Sequence, residues 1–414
     1  MQALFYYSKN FKKYKYNIKS KSSKKTNRKY RNLSPVLQKE IGFFLIIPSH
    51  LYNKLSLNSF IIYRNLFKTN PMNTTFKTLT LMLCLWFCKQ NILAQDIHFS
   101  QIFETPILRN PSLAGLYNGD VRIQAVHRNQ WNSVTDAYQT TSMSCDYKQH
   151  VGNGDDFISF GGQVVYDKAG TIALTTTQVL PAINYNKSMS DFKNVYLSLG
   201  FMGGLIQRRL DRSKMTTNNQ YDGTGYNGAL ADGETFSSNG YSYFDGSVGM
   251  SLNSQLGENE NNNFYVGLAY HHFNQSKKAN FYNNASQSLT PRWVLSSGVR
   301  YEMANNSYFT LQADYNRQGT YQEIVGGAIY TMRIGQNEDV RYLFHCGTYM
   351  RWRDAIIPVA KIEFQPLAVA ISYDANISAL KTSSKGRGGF EISLTYQKFR
   401  KNNSSLDAVR CPKF

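Results

Sequence analysis

Phe390-Glu391-Ile392-Ser393-Leu394-Thr395-Tyr396-Gln397 alternates apolar and polar side chains without interruption. Leu367-Ala368-Val369-Ala370-Ile371-Ser372-Tyr373-Asp374 and Asn194-Val195-Tyr196-Leu197-Ser198-Leu199-Gly200-Phe201 follow the same rule. Successive side chains of a strand point to opposite faces, so a period of two gives one apolar and one polar face. In a soluble sandwich the polar face meets bulk water. In a membrane barrel the apolar face meets lipid and the polar face lines the lumen.

Outward from 390–397 the pattern recurs. It predicts strands near 120–128, 138–148, 156–167, 172–186, 193–207, 240–253, 264–274, 291–303, 307–316, 321–334, 340–350, 355–364, 367–376 and 387–397. Proline is rare inside them, as a hydrogen-bonded ladder requires. Every second connection is short: 149–155, around Ser188, 254–263, 304–306, 335–339 and 365–366. The long ones, 208–239, 275–290 and 377–386, all fall in the other set. A structureless stretch as long as 208–239 is uncommon within a compact domain but ordinary on the outer face of a barrel. The strands also approach the roughly 9–11 residues that a tilted bilayer crossing needs. The expectation is an all-β protein, a single closed antiparallel transmembrane β-barrel over 120–399 with about 14 strands and both termini periplasmic. Ile392 and Leu394 then face lipid, and Glu391 and Ser393 face the lumen.

Ahead of the strands, Met72-Asn73-Thr74-Thr75-Phe76-Lys77, an apolar run Thr78–Phe87 and Ile92-Leu93-Ala94 have the three-part form of a secretory signal peptide cleaved before Gln95. The run is too short to span a bilayer, which needs roughly 20 apolar residues. Bulky Phe87 before Cys88 argues against lipoprotein processing. The whole chain carries +19, yet 1–71 holds 15 basic residues against one acid, whereas 29 basic face 26 acidic residues after Ala94. The basicity is therefore local and implies no nucleic-acid partner. Residues 1–71, rich in Lys, Asn, Tyr, Ile and Phe, read as an upstream extension before a true start at Met72. Residues 95–119 form a periplasmic N-terminal segment and 400–414 a C-terminal tail.

Chemistry-bearing groups are sparse. Cys145 and Cys346 sit on apolar strand faces, and no cysteine spacing suggests zinc. His271 and His272 as strand neighbours should point to opposite faces and not share a metal. His98-Phe99-Ser100 lacks a base, an orienting acid and a G-x-S-x-G context. No catalytic, cofactor or metal site is expected. Inward charges are predicted at Arg122, Arg128, Asp314, Asp374 and Glu391, either as a solvated interior network or gripping a plug or partner segment. In Arg351-Trp352-Arg353-Asp354, a hydrogen bond from Arg353 to Asp354 would support the turn. Residues 96–115 hold Ile97, Phe99, Ile102, Phe103, Ile107 and Leu108 without alternation, unlike a polar free tail. They should pack into or across the periplasmic mouth, with Phe99 and Phe103 as anchors and candidate partner contacts.

Several blocks resemble a known family. Asp96-Ile97-His98-Phe99-Ser100-Gln101 with Pro106 and Asn110-Pro111-Ser112-Leu113-Ala114-Gly115, then Gly119-Asp120 and Arg128-Asn129-Gln130-Trp131, look like the opening of PorP/SprF-like membrane proteins of type IX secretion and gliding in Bacteroidetes. Arg353-Asp354-Ala355 with Pro358, Ser372-Tyr373-Asp374 with Asn376 and Ser378, and Gly386-Arg387-Gly388-Gly389-Phe390-Glu391 are similar too. The resemblance implies a non-enzymatic outer-membrane barrel. Its partners would be an OmpA-like peptidoglycan-binding protein and periplasmic ring lipoproteins, or one secreted adhesin exported and held at the surface. Two other readings remain: an outer-membrane channel or small-solute transporter, and an outer-membrane hydrolase.

Overall fold

The computed structural model describes residues 96–398 apart from 131–136, 153–154, 191–193, 260, 277–280, 282–287, 304–306, 335–341, 379–380 and 385. The upstream extension, the signal peptide, the C-terminal tail and Trp131 lie outside the described residues. The strands are β1 Val121–Gln130, β2 Tyr138–His150, β3 Phe157–Ala169, β4 Leu174–Ser188, β5 Val195–Arg209, β6 Gly240–Gln255 and β7 Asn263–His271. The second half comprises β8 Arg292–Glu302, β9 Tyr308–Gln318, β10 Tyr321–Ile334, β11 Tyr342–Arg351, β12 Ala355–Phe364, β13 Leu367–Asn376 and β14 Arg387–Lys398. All pair antiparallel with their sequence neighbours, and β1 closes on β14 with Arg128 opposite Glu391. β7 ends three residues before the sequence expectation, because His272 and Gln275 adopt left-handed backbone that turns the chain out of the ladder.

Burial follows the alternation, inverted relative to a globular protein. Glu391, Ser393 and Ser198 are essentially inaccessible, whereas Leu394 is 48% and Leu199 67% exposed. Apolar side chains cover the outer wall and polar ones line the interior, as in a membrane barrel. No helix among the described residues is long and apolar enough to cross a membrane. The wall is uneven in height. β6 has 16 residues and β7 nine, and Ser247 pairs with His271, so 240–246 rise above the end of β7 toward the long 210–239 connection.

The interior is not uniformly polar. Val325, Ile329, Tyr349, Ile357 and Val359 form one inward apolar cluster with Ile102. Leu180, Met202, Ile206 and Tyr243 form another with Ile107, and Phe157, Tyr196 and Tyr265 a third with Leu113 and Leu116. Each cluster is completed by the segment that precedes β1.

Candidate functional site

Residues 96–120 cross the lumen from rim to rim. At the long-loop end an Asp96 carboxylate oxygen lies 2.6 Å from His272 Nε2 and 3.3 Å from Arg292, and the Asp96 amide donates to Gln318. At the short-turn end the Asp120 amide donates to the Lys398 carbonyl, and the Lys148 amide donates to the Asp120 carbonyl. The segment thus reaches well past the mouth where the sequence placed it. Its local shape follows from its prolines. Pro106 opens a single α-turn, Pro106–Arg109, and Pro111 opens a 3₁₀ turn, Pro111–Leu113. Asn110 caps the latter, its side-chain oxygen accepting from Ser112 N at 2.9 Å.

The inward charges bind this segment. Glu391 accepts the backbone N–H groups of Ser100 at 2.7 Å and Gln101 at 2.8 Å, one on each carboxylate oxygen. Arg128 bridges Glu391 at 2.5 Å and Asp374 at 2.8 Å. The Ser100 hydroxyl sits at the centre: it donates to Asp374 and accepts from Arg128 and Arg351. One hydroxyl supplies one donor and two acceptor positions, so this one is fully used. Further along, Glu104 accepts from Lys361 at 2.6 Å, Thr395 at 2.6 Å and Gln124 at 2.9 Å. Arg109 donates to the Tyr265 hydroxyl at 2.7 Å and lies 3.3 Å from Asp314. Asn184 donates to the carbonyls of Ser112 and Ala114. Asp146 accepts from Gly115 N and takes a two-pronged contact from Arg122, whose guanidinium lies 4.3 Å over the Tyr117 ring.

Space for the Asn110–Pro111 turn is made by glycines. A Cβ on Gly200 would lie 2.4 Å from the Pro111 backbone, and one on Gly249, its partner across β5 and β6, 1.9 Å from Asn110 Oδ1. Both would collide, so the turn rests on bare strand backbone. Phe103 stacks on Tyr349 with ring centroids 5.6 Å apart, and Phe99 is buried.

A family profile described as type IX secretion system membrane protein PorP/SprF matches residues 91–396. The chain belongs to that family. No curated protein matches the sequence. Solved structures with a similar barrel include the P. putida toluene transporter TodX, at 7% identity over 71% of this chain and 93% of that one, TM-score 0.38. The translocator domain of the autotransporter NalP from Neisseria meningitidis has 8% identity over 68% and 90%, TM-score 0.32.

In this PorP/SprF barrel the structure gathers Arg128, Asp374 and Glu391 around Ser100 and sets Arg122 and Asp314 at two separate stations further along the same segment. The sequence reading missed Asp96, Ser100, Glu104, Arg109, Asp146, Arg351 and Lys361. A signal was present. Ala355-Ile356-Ile357-Pro358-Val359-Ala360 is apolar at consecutive positions, which implies burial on both faces and therefore something inside the barrel. Two expectations are corrected. His272 does not oppose His271: its left-handed backbone breaks the alternation, and both rings are buried. His271 contacts Ser247 and the Arg109 carbonyl, while His272 contacts Asp96 and Asp245. Asp354 is held by Arg351 at 2.9 Å rather than by Arg353, which takes the left-handed turn position and points to solvent.

Charge at the long-loop rim is tightly set. Burial pushes the His272 imidazolium down, but the Asp96 and Asp245 carboxylates outweigh it and raise it to about 9. Burial works against ionised Asp96 too, yet His272 and Arg292 hold it well below the usual carboxylate range. Desolvation lowers His98 to about 4 against the opposing pull of Glu323, 3.9 Å away, so its imidazole is neutral near pH 7.

Proposed function

We propose that this protein is a non-enzymatic outer-membrane barrel that supports export or surface anchoring of secreted proteins, adhesins among them, through protein–protein contacts. The observation that carries the reading is the lumen filled by residues 96–120 in a chain of the type IX secretion family. Among the described residues this segment occupies the lumen, which weighs against the channel or transporter alternative. The chain reaches the membrane through a signal peptide cleaved after Ala94. It would then work with an OmpA-like peptidoglycan-binding protein and periplasmic ring lipoproteins, or with one dedicated adhesin, and Phe99 and Phe103 would hold the segment that partners recognise.

Two measurements test this. In planar bilayers the purified protein is expected to give no steady ohmic pore; a stable open pore would establish the transporter reading instead. In cells, Phe99→Ala with Phe103→Ala should lower export of surface proteins while the barrel still shows its heat-modifiable gel shift. Lost folding would assign the segment to packing alone, and unchanged export with intact folding would end the partner role.

A further inference from the structure

The outer wall carries a feature that the lumen does not explain. Register places Gln139, Lys168, Thr175 and Arg209 in one row across β2, β3, β4 and β5, all facing outward near the long-loop rim. Lys168 and Arg209 flank Thr175 two strands apart, roughly 10 Å at the usual spacing of neighbouring strands. Among the described residues neither cation makes an ion pair. Asp211, two residues beyond Arg209, is engaged by Lys214 at 3.4 Å.

The rows below show where a membrane would end. Two residues inward along each strand lies Tyr166–Thr177–Gln207, and two further lies Val164–Val179–Leu205. The last three are 46%, 50% and 55% exposed, the start of the apolar belt. The four residues from the cation row to this belt span about 13 Å along a strand, so the cations stand just beyond the hydrocarbon edge, at headgroup depth, and their flexible stems reach back toward it. The opposite rim of the same wall differs. There Lys187 is already neutralised by Asp156 at 2.8 Å. Arg317, outward beside Trp293 on β8 and β9, extends the cationic bias of the long-loop rim.

We infer that the outward row Lys168–Thr175–Arg209 is a binding site for the phosphate of a membrane lipid headgroup in the leaflet on the long-loop side. The two cations would clamp the phosphate from either side, the Thr175 hydroxyl, which here donates to the Arg209 carbonyl at 3.4 Å, would turn to it, and the acyl chains would lie on Val164, Val179 and Leu205. A membrane lipid, rather than a soluble anion, is favoured because the site is continuous with the apolar belt.

The test uses the full protein in phosphatidylcholine nanodiscs doped with lipid A bisphosphate or its dephosphorylated form, with retained lipid counted by native mass spectrometry. The K168Q/R209Q variant should lose affinity for the phosphorylated lipid by about thirty-fold, the product of roughly five-fold per basic residue near a membrane surface. K187Q/K398Q, at the other rim, should retain it. Both variants must keep the gel shift of a folded barrel; all four side chains lie on the exposed outer face. Equal retention by K168Q/R209Q, equal binding of the dephosphorylated lipid, or equally tight capture of inorganic phosphate alone would each overturn the assignment.

Discussion

On β14, Glu391 and Ser393 point inward and Ile392 and Leu394 outward, one residue apart in sequence and under different physical demands. The outer pair must be apolar and of adequate size; many side chains meet that demand. Glu391 must accept two amides of residues 100 and 101 and pair with Arg128 on the adjoining strand. The outer face therefore tolerates exchange among apolar types, whereas the inner face is specified atom by atom by the segment it holds.

The sharpest way to break that contrast is Glu391→Ala. It leaves Arg128 buried without one of its two carboxylates and two amides without acceptors, and should cost about 3–5 kcal/mol in urea unfolding from micelles. A loss no larger than that of an outward apolar exchange would mean that the filled lumen contributes little. Leu394→Arg on the outer face should cost about 2–4 kcal/mol near the midplane. Cysteine labelling probes the two sides of the same strand: a lipid-soluble maleimide should react at Leu394→Cys and not at the buried Ser393→Cys, and equal labelling would refute the assigned faces. Ser100→Ala removes a hydroxyl shared by Asp374, Arg128 and Arg351, and a loss of about 1–3 kcal/mol is expected.

A pH titration sharpens the comparison within the segment. His272, raised to about 9, contributes fully below the ordinary histidine range, and its hold on Asp96 is lost as pH rises through that value. A spin label at Ile97 should therefore gain mobility between pH 7 and 10 while one at Leu113 stays immobile; an unchanged label at 97 would contradict the latch. The effect is moderated because the Asp96 side chain is 27% exposed. Smallest of all, Ile392→Val should shift stability by no more than about 0.5 kcal/mol, as surface exchanges do.

How much of this was legible differs between the two faces. Outward residues such as Leu199, Leu205 and Leu394 announce themselves by alternation, because a strand's geometry fixes their direction whatever surrounds them. Strand number, order and most ends followed, and β7 escaped only because nothing local marks His272 as left-handed. Inward residues carried a weaker message. Arg128, Asp374 and Glu391 were readable as interior charges, but 263 residues separate Arg128 from Glu391 and 291 separate Ser100 from it. No spacing rule links positions that far apart.

The sequence by itself determined the barrel, since period-two patterning, connection lengths and signal-like punctuation are local properties. The tertiary structure decided what fills it. Glu104 and Arg109 are unremarkable charges in a short irregular stretch until closure of β1 on β14 encloses them. Burial then makes each require a partner, and Lys361, Tyr265 and Asp314 stand where the closed wall brings them within reach.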